Sequence, residues 1–227
     1  MYQERPSTVP GAVLWRIDPE PGEGTGRVLP DGCMDLLWWG DRLVVAGPDT
    51  VAQLTGRRAG PVVGLRFAPG TAPGVLGVPA HELRNRRVPL EDLWGAARVR
   101  RWGATAPPSG PGRWLEAIAS NHWAAPDPAL THAVRLLGEG VGVAESADRL
   151  GLSARQLRRR SEVAFGYGPK TLARVLRMRR ALQLGEATGE SGGLAGVATA
   201  AGYADQAHMT RELRQLTGLT PGDLFSR

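Results

Sequence analysis

The chain carries one short pattern twice near its C-terminal end, and that repeat limits its folding more than any other feature. The first copy is Val143-Ala-Glu-Ser-Ala147-Asp-Arg-Leu-Gly151-Leu-Ser153, continued by Ala154-Arg-Gln-Leu157-Arg-Arg-Arg-Ser161. The small Ala147 lets a second helix pack closely, Gly151 permits a tight turn, and Ser153 caps the helix that follows. The second copy, Val197-Ala198-Thr-Ala-Ala-Gly202-Tyr203-Ala-Asp205-Gln-Ala-His-Met209-Thr-Arg211, repeats Ala147 as Ala198, Gly151 as Gly202 and Leu157 as Met209, with a turn one residue longer. Two helix-turn-helix units are therefore expected, at about 143–165 and 194–217.

Helical periodicity assigns faces to both second helices. With Leu157 inward, 100° per residue puts Arg155 and Arg159 on the opposite face, with Arg158 and Glu162 beside them. With Met209, Leu213 and Leu216 inward, Ala207, Thr210, Arg211 and Arg214 look outward, and Gln206 stands near the helix start. Arginine can donate two hydrogen bonds to guanine, and glutamine can pair with an adenine edge. Arg155, Arg158, Arg159, Gln206, Ala207, Thr210 and Arg211 are the expected base-reading set. Between residues 155 and 180 nine basic side chains face a single acid, Glu162. Such a run is also the ordinary solvated face of a helix, but it suits the sequence-independent pull of phosphates. Ser153, Lys170, Arg174, Arg177 and Arg214 are the expected phosphate contacts. The amphipathic stretch Pro169 to Leu184 reads as a rigid helical spacer, able to set the units at the ~34 Å repeat of the major groove.

The rest of the C-terminal hundred residues also reads as helix. Asp127 before Pro128 is an N-cap with proline at the first helical position, and a last short helix is expected at 221–226 behind Thr220. The N-terminal half is built differently, for all seven tryptophans lie in its first 123 residues. Apolar runs at 12–17, 26–29, 34–39, 42–46 and 61–68, split by Gly and Pro, predict a small antiparallel sheet. Short helical pieces are expected at 79–84 and 89–94, and a helix at 113–123. The fold class is thus an α+β domain followed by an all-α domain of about seven helices. The expected divisions are 1–104, a linker with connecting helix at 105–126, and 127–227. The tryptophans are read mainly as core, with an apolar ligand pocket as the alternative.

Residues 127–226 resemble the DNA-binding domain of the AraC/XylS family of bacterial transcription regulators. The likeness rests on Gly151-Leu-Ser153, Leu157-Arg-Arg159, Gly166-Tyr-Gly-Pro169, Arg177-Met-Arg-Arg-Ala-Leu182, Gly202-Tyr-Ala-Asp-Gln206 and Gly218-Leu-Thr-Pro221. It implies promoter binding by two recognition helices and assigns base reading to the same side chains of both units. One departure is Ser161, where the family usually has an aromatic residue in the first core. Residues 1–95 resemble the sensor-like domains that accompany this module in some members, through Leu29-Pro-Asp-Gly-Cys-Met-Asp-Leu36, Gly64-Leu-Arg-Phe-Ala-Pro-Gly70 and Val88-Pro-Leu-Glu-Asp-Leu-Trp-Gly95. That implies a small-molecule effector or partner, with RNA polymerase contact and a homodimer as further implied partners.

An enzyme is the main alternative, because some proteins with this module repair alkylated DNA with a cysteine, and Cys33 is the only thiol. It lies in an apolar run without His or Cys partners, which favours an unreactive thiol. An accessory DNA binder without regulatory role is a second alternative. No catalytic residue, cofactor or metal site is expected; His208 has no second ligand at helical spacing. The opening residues lack the apolar run of a signal peptide, and nothing approaches ~18 consecutive apolar residues, so a cytoplasmic, nucleoid-associated protein is expected.

Overall fold

The computed structural model describes residues 1–19, 26–56, 60–102, 110–188 and 193–225, with the side chain of residue 188 excepted. β-Branched and aromatic runs produce the expected strands β2 (Ala12–Ile17), β3 (Gly26–Val28), β4 (Met34–Trp39), β5 (Arg42–Ala46) and β7 (Val62–Phe67). Three further strands were not foreseen: β1 (Tyr2–Pro6), β6 (Gln53–Thr55) and β8 (Arg87–Pro89). A six-stranded antiparallel sheet has the order β1-β2-β7-β4-β5-β8, and β3 pairs with β6 in a separate ribbon. β1 is exposed along its length and forms an edge, and the charged Glu4 and Arg5 with Pro6 discourage pairing with another chain.

One face of the sheet presents Leu14, Leu36, Val45, Leu65 and Phe67 to the main core. The cover is α1 (Ala72–Leu76) together with α4 (Pro111–Asn121), whose Trp114, Leu115, Ile118 and Ala119 are buried. The helix expected as a connector at 113–123 is therefore part of the N-terminal core. Glu116 fixes it there: Arg5 donates to both carboxylate oxygens at 3.1 and 3.0 Å, Ser7 Oγ at 2.9 Å and the Thr8 amide at 3.0 Å. The expected helix at 79–84 is only a 3-10 turn, Ala80–Leu83, and the next piece divides into α2 (Leu90–Trp94) and α3 (Ala96–Arg100). Trp114 is buried in the main core and Trp38, Trp94 and Trp102 pack against it, whereas Trp39 and Trp123 are exposed. Trp38 meets Trp114 edge to face at 5.1 Å, and Trp114 Nε1 donates to the Trp102 carbonyl at 2.7 Å.

The C-terminal half contains α5 (Pro128–Gly138), α6 (Val143–Arg149), α7 (Ala154–Phe165), α8 (Pro169–Thr188), α9 (Leu194–Ala201), α10 (Gln206–Thr217) and α11 (Pro221–Phe225). Two small cores form. Leu130, Leu137, Ala147, Leu157, Phe165 and Leu172 make the first. Met178, Ala198, Tyr203, Met209, Leu213 and Leu216 make the second. α8 supplies Leu172 to one and Met178 to the other, and it is longer than the sequence predicts, about 30 Å at 1.5 Å per residue.

The N-terminal half grips both helix-turn-helix units at matching places. Gly166 and Gly218 terminate α7 and α10 in the left-handed conformation, at φ +81° and +73°. Arg84 donates to the Gly166 carbonyl at 3.4 Å, and Arg27, on the β3–β6 ribbon, donates to the Thr217 carbonyl at 2.7 Å. The Ala52 amide adds a 2.7 Å bond to the Leu216 carbonyl, and Arg179 of α8 lies 3.7 Å from Asp31. A cation at a helix C-terminus meets the negative end of the backbone dipole. Both α7 and α10 are thus held by their C-terminal ends.

Candidate nucleic-acid interface

The two turn-and-helix units form as their residue chemistry dictates. Gly151 and Gly202 take φ values of +64° and +89° at the turns. Ser153 makes a full capping box: its Oγ accepts from the Gln156 amide at 3.2 Å, while Gln156 Oε1 accepts from the Ser153 amide at 2.8 Å. Asp205 caps α10 by accepting from the His208 amide at 2.6 Å. His208 is half-buried with its ring edge-on to Tyr203 at 5.3 Å. Among the described residues no group of three or more His, Cys, Asp or Glu is placed to hold a metal ion.

The expected base-reading side chains lie on the N-terminal parts of α7 and α10, away from the C-terminal ends that Arg84 and Arg27 hold. Arg155, Arg158 and Arg159 are exposed, as are Gln206, Ala207 and Arg211, while Thr210 is half-buried. Arg158 already binds Glu162 one turn on at 2.9 Å. Such an exposed pair is worth a few tenths of a kcal/mol and yields readily to a stronger acceptor. Arg160 turns the other way and lies 3.3 Å from Asp127.

The expected phosphate contacts divide. Ser153, Lys170 and Arg214 are exposed. Arg174 and Arg177 are both bound to Glu212 of α10. Arg174 Nε donates to it at 3.0 Å and Arg177 does so through Nε and Nη2 at 3.0 and 2.7 Å. Arg174 also reaches Gln215 at 2.8 Å, and the Arg177 guanidinium sits 4.8 Å from the Tyr203 ring centre. Two arginines share one nearly buried carboxylate, so the pair presents one net positive charge and locks α8 to α10. Sequence reasoning missed Glu212 because its partners are 35 and 38 residues away. These side chains line an open trough of about 810 Å³ between the two units, with Lys170 and Arg211 on its walls.

Ser161 is fully buried in the first unit and its hydroxyl has no hydrogen-bond partner. An unpaired buried hydroxyl costs about 1–3 kcal/mol. Ser161→Ala is expected to raise the melting temperature by roughly 2–12 °C, at the 2–4 °C per kcal/mol usual for this size. A thermal melt showing a lower midpoint would mean that the hydroxyl is satisfied.

These geometries stand beside what other proteins show. The family model described as "Helix-turn-helix domain" matches residues 146–227, and "Domain of unknown function (DUF6597)" matches residues 12–89. Residues 146–227 form an AraC-type helix-turn-helix domain. A helix-turn-helix domain of this kind is a DNA-binding module. Its two-part architecture is also that of ToxT from Vibrio cholerae. The O395 protein bound to (E)-4-(8-methylnaphthalen-1-yl)but-3-enoic acid superposes with TM-score 0.51 at 10% identity over 99% of this chain and 98% of that one. A ligand-free variant from strain SCE256 gives 0.50 at 11% identity over 97% and 99%. A probable AraC family transcriptional regulator from Rhodopseudomonas palustris CGA009 covers 44% of this chain and 97% of its own at 18% identity and TM-score 0.39. No curated protein matches the chain.

Cys33 lies just ahead of β4, beside Asp31. Its amide donates to Asp31 Oδ1 at 2.9 Å and its thiol lies 3.8 Å from the Asp31 carbonyl. Burial pushes the thiol's pKa well up, and the carboxylates of Asp31 and Asp35 push it further. A thiol held protonated is a poor nucleophile.

Proposed function

We propose that this regulator binds promoter DNA as one molecule spanning two successive major grooves, α7 in one and α10 in the next. The observation that carries the reading is that both recognition helices expose their N-terminal halves while their C-terminal ends are anchored. Arg155, Arg158 and Arg159 read bases in the first groove, and Gln206, Ala207, Thr210 and Arg211 in the second. Ser153, Lys170 and Arg214 hold phosphates, and Arg174 with Arg177 acts as a single positive site. The domain division near 122–127 accompanies this reading, since α4 packs with the sheet and α5 with the first unit. Action on a promoter places the chain at the nucleoid.

Arg159→Ala or Arg211→Ala is expected to cost about 1–3 kcal/mol and to relax preference at particular base pairs. Binding-site selection from a random pool measures both. Equal weakening on every sequence would reassign that arginine to the phosphates.

The N-terminal half sets the activity in response to a small molecule or partner, with RNA polymerase contact and dimerisation as possible means of control. One solved relative by fold holds an aromatic butenoic acid. Here the space beside Trp38 and Trp114 is about 160 Å³, below the ~300 Å³ of ordinary ligand pockets. The cleft between the halves, lined by Pro73, Leu130, Arg159, Arg160 and Val163, is about 370 Å³ and joins apolar walls to two cations and one acid, Asp127, which lies 3.3 Å from Arg160. An apolar acid fits that chemistry, and a ligand there would touch α7 directly.

A further inference from the structure

A groove on the other flank of α7 is lined by both halves of the molecule. Thr50 and Arg84 form its N-terminal wall, Ala154, Arg158 and Glu162 its α7 wall, and residues 168–171 at the start of α8 its floor, around about 600 Å³. Its cations are Arg84, Arg158 and Lys170, and its one acid, Glu162, is already bound to Arg158. Lys170 and Val143 also line the trough between the two units, so the groove continues the surface that faces DNA. The positive end of the 20-residue α8 adds to its field.

The N-terminal wall is built to hold its position. Among the described non-glycine residues only Asn85 has a positive φ, +58°, directly after Arg84. Asn85 Oδ1 accepts from the Thr50 amide at 2.8 Å and its amide donates to the Pro48 carbonyl at 3.0 Å. Arg87 grips the buried Asp49 through two bonds, at 3.0 and 2.6 Å. Strained backbone of this kind persists only where its surroundings over-determine it. The exposed Arg84, whose Nη1 bonds the Gly166 carbonyl at 3.4 Å, is thereby presented beside α7 on a fixed platform.

We propose that this groove is a phosphate site for the DNA strand bordering the major groove that α7 enters, and that Arg84 supplies one of its contacts from the N-terminal half. The inference rests on the DNA-binding reading above and extends the footprint beyond the AraC-type domain. DNA affinity then depends on how the two halves are docked, because one backbone contact is lost if they separate.

The test uses the full chain and a random-sequence 30-base-pair duplex, with fluorescence anisotropy across a salt series. Each neutralised phosphate contributes about 0.9 to the slope of log K against log salt. Arg84→Ala is expected to lower that slope by about 0.9, which is a roughly eightfold loss at 0.1 M salt that vanishes towards 1 M. Arg84→Lys should keep the slope, and Arg84→Gln should behave as Ala. Melting curves of all three variants report the docking of the halves separately. A weaker Arg84→Ala complex with an unchanged slope would overturn the proposal, leaving Arg84 a packing residue only. Failure of the unaltered chain to bind the duplex at all would overturn the DNA-binding reading instead.

Discussion

Gly166→Ala is expected to lower the melting temperature by roughly 4–20 °C and to loosen the two halves. Gly166 sits at φ +81°, where a side chain costs about 1–2 kcal/mol. A Cβ there would also stand 2.5 Å from Pro48 Cγ and 3.1 Å from the Ala80 carbonyl oxygen, both in the N-terminal half. Overpacking of this kind adds about 1–3 kcal/mol, and the sum of roughly 2–5 kcal/mol sets the expected shift. Gly202→Ala is the matched control: its φ is +89°, yet nothing lies within 4 Å of the added atom. The control should lose only the conformational part. Equal losses in the two variants, with equal protease sensitivity near residues 122–127, would show that the contact at Pro48 and Ala80 does not hold the halves together.

The second large effect is expected at Glu212. Removing one partner of a buried ion pair costs about 3–5 kcal/mol, but Arg174 and Arg177 keep 32% and 28% of their side-chain surface exposed, so about 2–3 kcal/mol is expected for Glu212→Ala. That corresponds to a fall of roughly 4–12 °C in melting temperature. The same change releases a second positive charge into the trough between the units. The salt slope for random-sequence DNA should steepen by about 0.9, while discrimination between sequences falls because α10 is no longer locked to α8. A stable variant with an unchanged slope would contradict both halves of this expectation.

These two positions also mark where the sequence stops being readable. The recognition units are legible because their determinants are local: Gly151 and Gly202 fix turns, Ser153 and Asp205 fix caps, and Leu157 and Met209 fix the inward face. Strands β2, β4, β5 and β7 are legible for the same reason, each carrying its own apolar run. β1 is invisible because Tyr-Gln-Glu-Arg-Pro has no apolar alternation, and backbone pairing with β2 alone makes it a strand. β6 and β8 are three-residue strands, too short for a pattern to emerge. Arg174 and Arg177 look like free cations in the sequence, since nothing local announces a carboxylate on another helix. Ser161 is the instructive intermediate. Helical spacing puts it inward and the structure buries it, but its missing partner is visible only in three dimensions.

The arginine caps on the C-terminal ends of α7 and α10 give the N-terminal half the role of a caliper. On the proposed reading, base preference lies on the outward faces of two helices, whereas the distance between half-sites is set by α8 together with the contacts of Arg84 and Arg27 at the helix ends. The two properties can therefore change independently during evolution. A promoter that gains one base pair between its half-sites selects for adjustment around Arg27 or Arg84, and leaves the lettering of the half-sites intact.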